Sequence, residues 1–175
     1  NKKKLNSMLM KNVPIQGVPK ALKNTTYTFD YNDFNSLKKI VDNNNIGIIK
    51  MEVMRNHYPK NNFLQKVRKL ATDKSIVLIF DECTSGFRQS FGGLHKIYNV
   101  EPDIAIFGKA LGNGYAVNAI LGKRSIMEAA NNTFISSTFW TERIGAVAGL
   151  ETLRSMEKIK SWEVISKIGK KIKKK

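Results

Sequence analysis

The 175 residues predict an α/β domain with a mostly parallel sheet flanked by helices, and three observations carry that expectation. Apolar residues at helical spacing alternate along the chain with short apolar strands; one of those strands is an unbroken apolar run; and charged residues stand at the carboxyl ends of three strands, where sheets of this kind bind ligands.

In chain order, residues 1–32 are rich in Asn and Lys and include Pro14, Gly17 and Pro19, a composition that predicts loop or edge structure. Asp33 can cap a helix in which Phe34, Leu37, Ile40 and Val41 share one face, and Asn43 to Asn45 end it. Ile46 to Glu52 reads as a strand. Asn61 or Asn62 then opens a second amphipathic helix built on Phe63, Leu64, Val67, Leu70 and Ala71. The run Ile76 to Phe80 suits a strand buried on both faces. Two more short strands follow, Ile104 to Phe107 and Val117 to Leu121, and Ile144, Val147, Leu150 and Leu153 mark a long helix beginning near Thr141. No repeat or flexible linker interrupts the pattern. The expected organisation is an N-terminal loop or edge segment over 1–32, a ligand-binding core over 33–157, and a basic helical tail over 158–175.

The charge of +16 raises the possibility of a nucleic-acid or anionic-membrane partner. Its distribution argues against both. Nine of the excess positive charges sit in two runs free of acids, Lys2 to Lys4 and the lysines at 167, 170, 171, 173, 174 and 175. What remains is a mildly basic domain with solvated surface lysines. The apolar stretch after Lys4 is too short for a signal-peptide core, and none approaches a membrane span, so the expected location is the cytoplasm. The single cysteine, Cys83, excludes an intrachain disulfide. Asn1 in place of an initiator Met suggests a processed product or a fragment of a longer chain, and the fragment is the expectation.

The residues at strand ends are Glu52, Asp81 with Glu82, and Lys109. An apolar strand ending in Asp-Glu resembles the magnesium-binding strand of nucleotide hydrolases. That reading needs a phosphate loop, and none of the pairs Gly108-Lys109, Gly122-Lys123 or Gly169-Lys170 is followed by the required Ser or Thr. A dinucleotide fingerprint at Gly112 and Gly114 fails because Val117 stands where the third glycine belongs. His57 and His95 are isolated and read as surface or ordinary structural histidines, so no metal is expected.

Several motifs in fixed order are more specific. The segment IFDECTSGFR from Ile79 to Arg88, the stretch GGLHKIYNVEPDIAIFGKALGNGYAVNAILG ending at Gly122, and ISSTFWTERIG over 135–145 closely resemble the class III aminotransferases, among them the glutamate-1-semialdehyde aminomutase group. The likeness covers roughly residues 14–160, with an Asp-Glu at a strand end and, 28 residues on, a Lys in a Gly-Lys-x-x-Gly context.

The resemblance implies a fold type I pyridoxal-phosphate (PLP) enzyme large domain, here partial, that transfers an amino group to or within a small-molecule amino/keto or amino/aldehyde substrate. By the same resemblance Lys109 is the Schiff-base lysine and Asp81 the partner of the pyridine nitrogen. The chemistry needs both types: a carboxylate to keep the ring nitrogen protonated, and an amine to hold the cofactor and then shuttle a proton. Cys83 stands where a Val usually packs on the ring face. Thr138 matches a threonine that reaches the PLP phosphate of the neighbouring subunit, which implies a homodimer with shared active sites. Glu52 matches the glutamate of a Glu-Pro strand end in the substrate region, although Val53 replaces the Pro and Thr141 to Arg143 replace the family's Gly-Asn-Pro. Neither the family's phosphate-binding turn nor its C-terminal small domain is recognisable, and the chain reads as the central portion of a longer enzyme. The alternative is a non-catalytic basic α/β module, or a remnant, that binds an anionic partner.

Overall fold

A computed structural model describes residues 17, 19–22, 24–139 and 141–174, which fall into two compact units, Asn1–Asn45 and Ile46–Lys175. In the first, helix α1 (Phe34–Asn43) begins where the Asp33 carboxylate accepts a hydrogen bond from the Ser36 backbone N–H at 2.9 Å. It ends where the Asn44 side chain donates to the Ile40 carbonyl at 2.8 Å, and Leu37 and Val41 are its buried residues.

The second unit is built on a four-stranded sheet in the order β1 (Ile48–Glu52), β2 (Val77–Asp81), β3 (Ile104–Phe107), β4 (Ala119–Gly122). The first three strands are parallel and β4 runs antiparallel to β3. Helix α2 (Phe63–Asp73) makes the crossover from β1 to β2 and packs against β2 with Phe63, Leu64, Val67, Leu70 and Ala71 buried. Strand alternation divides the residues cleanly. Ile49, Met51, Leu78, Phe80, Ala105 and Phe107 are buried on one face, whereas Ile48, Lys50, Glu52, Val77, Ile79, Asp81, Ile104 and Ile106 share the other. Val77 and Ile79 are only half-buried, which corrects the expectation that β2 is covered on both faces: the second face carries three charged residues and is open among the described residues.

After the short helix α3 (Arg124–Met127), helices α4 (Arg143–Ile159) and α5 (Ser161–Lys173) meet at Lys160, whose left-handed backbone (φ 47°) separates them. Of the four residues expected to mark the long helix, only Leu153 packs on the core cluster of Ala105, Phe107 and Leu111, while Ile144, Val147 and Leu150 are exposed. The reason is that α4 approaches through small residues: a Cβ on Gly149 would lie 3.8 Å from Val117 Cγ1 and 3.9 Å from the Leu111 carbonyl oxygen. A row of rings, Trp162, Phe91, Phe87 and Phe107, ties α5 to β3 at centroid distances of 5.2, 5.9 and 5.4 Å. No helix among the described residues is long and apolar enough to cross a membrane.

One buried carboxylate fixes the start of β3. Asp103 accepts from the Leu78 backbone N–H and from Arg68 on α2, both at 2.8 Å, and from Lys123 at 2.7 Å. Burial alone raises its pKa, but these donors outweigh burial and hold it at about 2 against an ordinary 3.8. A depressed folded-state pKa stabilises the fold above the unfolded value and loses that contribution as pH falls through the folded one. We expect Asp103→Asn to cost on the order of 2 kcal/mol at neutral pH, and the difference from wild type to shrink between pH 4 and 2. Urea melts across that range would show it; a difference independent of pH would contradict it.

Candidate functional site

Asp81 closes β2, and a Gly108-Lys109 pair follows β3, so parallel pairing brings the carboxylate and the amine to the same end of the sheet on neighbouring strands. On the other side of Asp81, strand register pairs it with Glu52 at the end of β1. Three of the charged residues picked out from the sequence therefore converge for a reason of topology: parallel strands all present their carboxyl ends on one edge.

Asp81 Oδ1 accepts a hydrogen bond from the Cys83 backbone N–H at 3.2 Å, and Oδ2 lies 3.1 Å from the Lys50 ammonium. Burial works to raise the carboxyl pKa, but the Lys50 ammonium and the Cys83 N–H outweigh it and leave it below the ordinary carboxylate value. Asp81 is thus ionised at neutral pH. Lys109 donates to the Thr84 hydroxyl at 2.8 Å and has no carboxylate partner among the described residues. Its backbone is left-handed, φ 47°, in a single 3-10 turn from Lys109 to Leu111. A non-glycine residue held in that region stores backbone strain of a kind that concentrates at functional sites.

Between these two charges lies Cys83. Burial and the Asp81 charge push its thiol pKa up, against the opposing fields of Lys109 and Lys50, so the side chain is a neutral thiol that senses all three charges. It also abuts Gly108: a Cβ there would sit 3.2 Å from the Cys83 sulfur and 2.2 Å from Asn118 Oδ1. Glycine at 108 accommodates this close approach and leaves a small-residue floor beside the lysine.

Glu82, the second acid of the pair, does different work. It is fully buried and accepts from the Leu94 and His95 backbone N–H groups, both at 2.9 Å, from the His95 ring at 2.8 Å and from the Ser85 hydroxyl. Burial opposes its charge, but these donors outweigh burial and lower its pKa. It clasps the loop from Cys83 to His95 against the end of β2, and His95 is the structural histidine that the sequence suggested.

Glu52 pairs with Arg55 at 3.3 Å through one oxygen, while the other is buried with no hydrogen-bond partner among the described residues. Thr138 is not drawn into the cluster. It lies exposed on the loop before α4, and no hydrogen bond or ion pair joins it to the other site residues among those described. The flanking Phe134 and Phe139 are 97% and 72% exposed, and Trp140, part of the same aromatic stretch, lies outside the described residues.

Sequence reasoning missed Lys50, Thr84 and Asn118. A signal existed for the first: a lysine alternating with Ile49 and Met51 in an apolar strand must share the face of Glu52. Among the described residues no cluster of His, Cys, Asp and Glu could hold a metal ion. The groups present instead suit a pyridine-aldehyde cofactor. An ionised carboxylate can hold a ring N–H, and a lysine without an anionic partner can bond an aldehyde.

Comparison with known proteins agrees with that chemistry. The family model described as aminotransferase class-III matches residues 10–175. The chain is 40% identical over 164 residues to the 3-aminobutyryl-CoA aminotransferase of Cloacimonas acidaminovorans, a match covering 89% of this chain and 40% of that protein. It is 36% identical over 151 residues to the glutamate-1-semialdehyde 2,1-aminomutase of Methanobrevibacter smithii, covering 81% and 36%. Among solved structures, an omega-transaminase from Sphaerobacter thermophilus superposes with a TM-score of 0.73 at 26% identity, over 81% of this chain and 35% of that one. The FumI protein of Sphingopyxis sp. MTA144, solved in its PLP internal aldimine form, superposes with a TM-score of 0.71 at 26% identity, over 75% and 34%. The chain spans at most 40% of the length of these two curated relatives.

Proposed function

Because this chain belongs to the class III aminotransferases, we propose that the complete protein carrying it transfers an amino group between, or within, small amino and carbonyl compounds with the help of PLP. The observation that carries the reading is the pairing of an ionised Asp81 with a lysine free of any carboxylate partner at adjacent strand ends among the described residues, with Cys83 between them. Family membership leaves the alternative of a basic non-catalytic module without support of its own.

Bound PLP supplies an electron-withdrawing ring that stabilises negative charge at the substrate Cα. The chain's residues do the rest. Asp81 would hold the ring nitrogen in its protonated form, because a carboxylate kept ionised at neutral pH favours a cation against it. Lys109 would hold the cofactor through Nζ, and the same nitrogen, when free, would take and return the substrate Cα proton. Its single neutral partner, the Thr84 hydroxyl, leaves it free to move. The neutral Cys83 thiol would pack on the ring face without adding a charge there. Glu52, with one oxygen buried and unbonded among the described residues, borders the place where substrate polar groups would enter.

Thr138 completes the site by donating to the PLP phosphate of a second subunit, in a cytoplasmic homodimer with shared active sites. The support is its exposure together with that of Phe134 and Phe139, an open surface of this chain that a second subunit would cover. Mixing two inactivated full-length variants tests the arrangement. Loss of one hydrogen bond to phosphate should make Thr138→Ala roughly tenfold slower, and Lys109→Ala is inactive. In mixed dimers, cross-subunit supply puts both lesions in one site and leaves the other whole, so equal mixing should restore about a quarter of wild-type activity. Activity no higher than the average of the two parents, with subunit exchange verified, would show that Thr138 serves its own chain.

A further inference from the structure

We propose that Lys50 is a stand-in for the cofactor's ring nitrogen: its ammonium occupies the Asp81 oxygen that the ring must take, so cofactor loading requires Lys50 to withdraw. The proposal rests on the reading of Asp81 as the ring-nitrogen partner.

Asp81 offers two oxygens, and both are engaged. Oδ1 takes the Cys83 backbone N–H at 3.2 Å, a bond fixed by the chain's turn out of β2. Oδ2 faces Lys50 Nζ at 3.1 Å. The register pairs Lys50 with Ile79 and Glu52 with Asp81, so Lys50 sits one step back on the same face of β1 and reaches forward along the strand. Along that face the neighbouring positions Ile48, Val77, Ile79, Ile104 and Ile106 are all apolar, and Lys50 is its sole cation among the described strand residues.

An ammonium and a protonated ring nitrogen are like charges, and bringing both to one carboxylate makes each weaken the other's hold. Lys50 can yield because its side chain is 55% exposed, and an ion pair this open is weak. The arrangement keeps a part-buried carboxylate paired before the cofactor arrives, at a cost in cofactor affinity. Lys50 is thus a positioning residue that acts through Asp81 and sets how tightly the site binds PLP.

The experiment titrates the cofactor-free complete protein with PLP and follows absorbance of the lysine-bound cofactor, for wild type, Lys50→Met and Lys50→Arg. Lys50→Met keeps the apolar stem and removes the charge, and should lower the Kd by about 5-fold, whereas Lys50→Arg should bind as wild type does. The gain should vanish when PLP is replaced by its analogue with carbon in place of the ring nitrogen, because no cation then competes for Asp81. An unchanged or higher Kd in Lys50→Met, or an equal gain with the carbon analogue, would overturn the proposal. If wild type binds PLP at Lys109 and the Lys50 variants behave alike, this proposal alone fails; if wild type attaches no PLP at Lys109, the reading of the site fails and takes this one with it.

Discussion

Replacing Lys109 by Ala should lower turnover of the complete protein by roughly 10⁴-fold or more, because general acid–base catalysis alone is worth about 10² to 10⁴ and covalent attachment is lost with it. The fold should survive. Lys109 donates only to the Thr84 hydroxyl among the described residues, and its side chain supports no core contact. Its left-handed backbone sharpens the control: Lys109→Gly removes the amine equally but accepts φ 47° without strain, and should melt above Lys109→Ala by the equivalent of roughly 1 kcal/mol. Two variants equally inactive and differently stable would separate the chemistry of the side chain from the strain of the backbone. Turnover within tenfold of wild type in either variant would remove Lys109 from the reaction.

Asp81→Asn should leave PLP bound and turnover lower by roughly 10²- to 10³-fold, the usual cost of removing one preorganised electrostatic contact from a reacting centre. The amide keeps the shape and can still accept the Cys83 N–H that holds Oδ1 at 3.2 Å, so the turn after β2 should persist. What disappears is the charge that keeps the ring nitrogen protonated. Asp81 is suited to that work because, before the cofactor arrives, Lys50 and the Cys83 N–H overcome its burial and hold it ionised, ready for a ring cation to take the place of the ammonium. The same substitution should raise the acidity of the Cys83 thiol, since the Asp81 charge adds to burial in pushing its pKa up. Alkylation rates of Cys83 against pH, read on its own peptide, would show that shift without reference to activity. Unchanged turnover in Asp81→Asn, measured at saturating PLP, would contradict the role assigned to it.

Much of this was legible before any coordinates, and the parts that were not share a cause. The strands Ile104–Phe107 and Val77–Asp81 and the helices Phe34–Asn43 and Phe63–Asp73 follow from spacing, and the first helix also from its Asp33 cap, all local properties of the chain; Asn62, expected to open the second, makes no side-chain capping bond. The convergence of Glu52, Asp81 and Lys109 follows from placing charged residues after parallel strands. The Lys50 to Asp81 pair joins residues whose proximity depends on the register of β1 against β2, and no local pattern specifies which residue stands one step back. The same holds for Asp103, which links Arg68 on α2 with Leu78 on β2 and Lys123 beyond β4. The outward faces of Ile144, Val147 and Leu150 escaped a pattern-based reading for another reason: periodicity marks which residues share a face, and only the packing of Gly149 and Leu153 decides which face the sheet receives.

The central claim is that Lys109 carries the cofactor, and covalent trapping reads it most directly. The complete protein, incubated with PLP, reduced with borohydride and digested, should yield one pyridoxyl-labelled peptide, spanning the Gly108-Lys109 turn with the label on Lys109. Label on Lys50, on one of the α5 lysines or on no lysine at all would contradict the account.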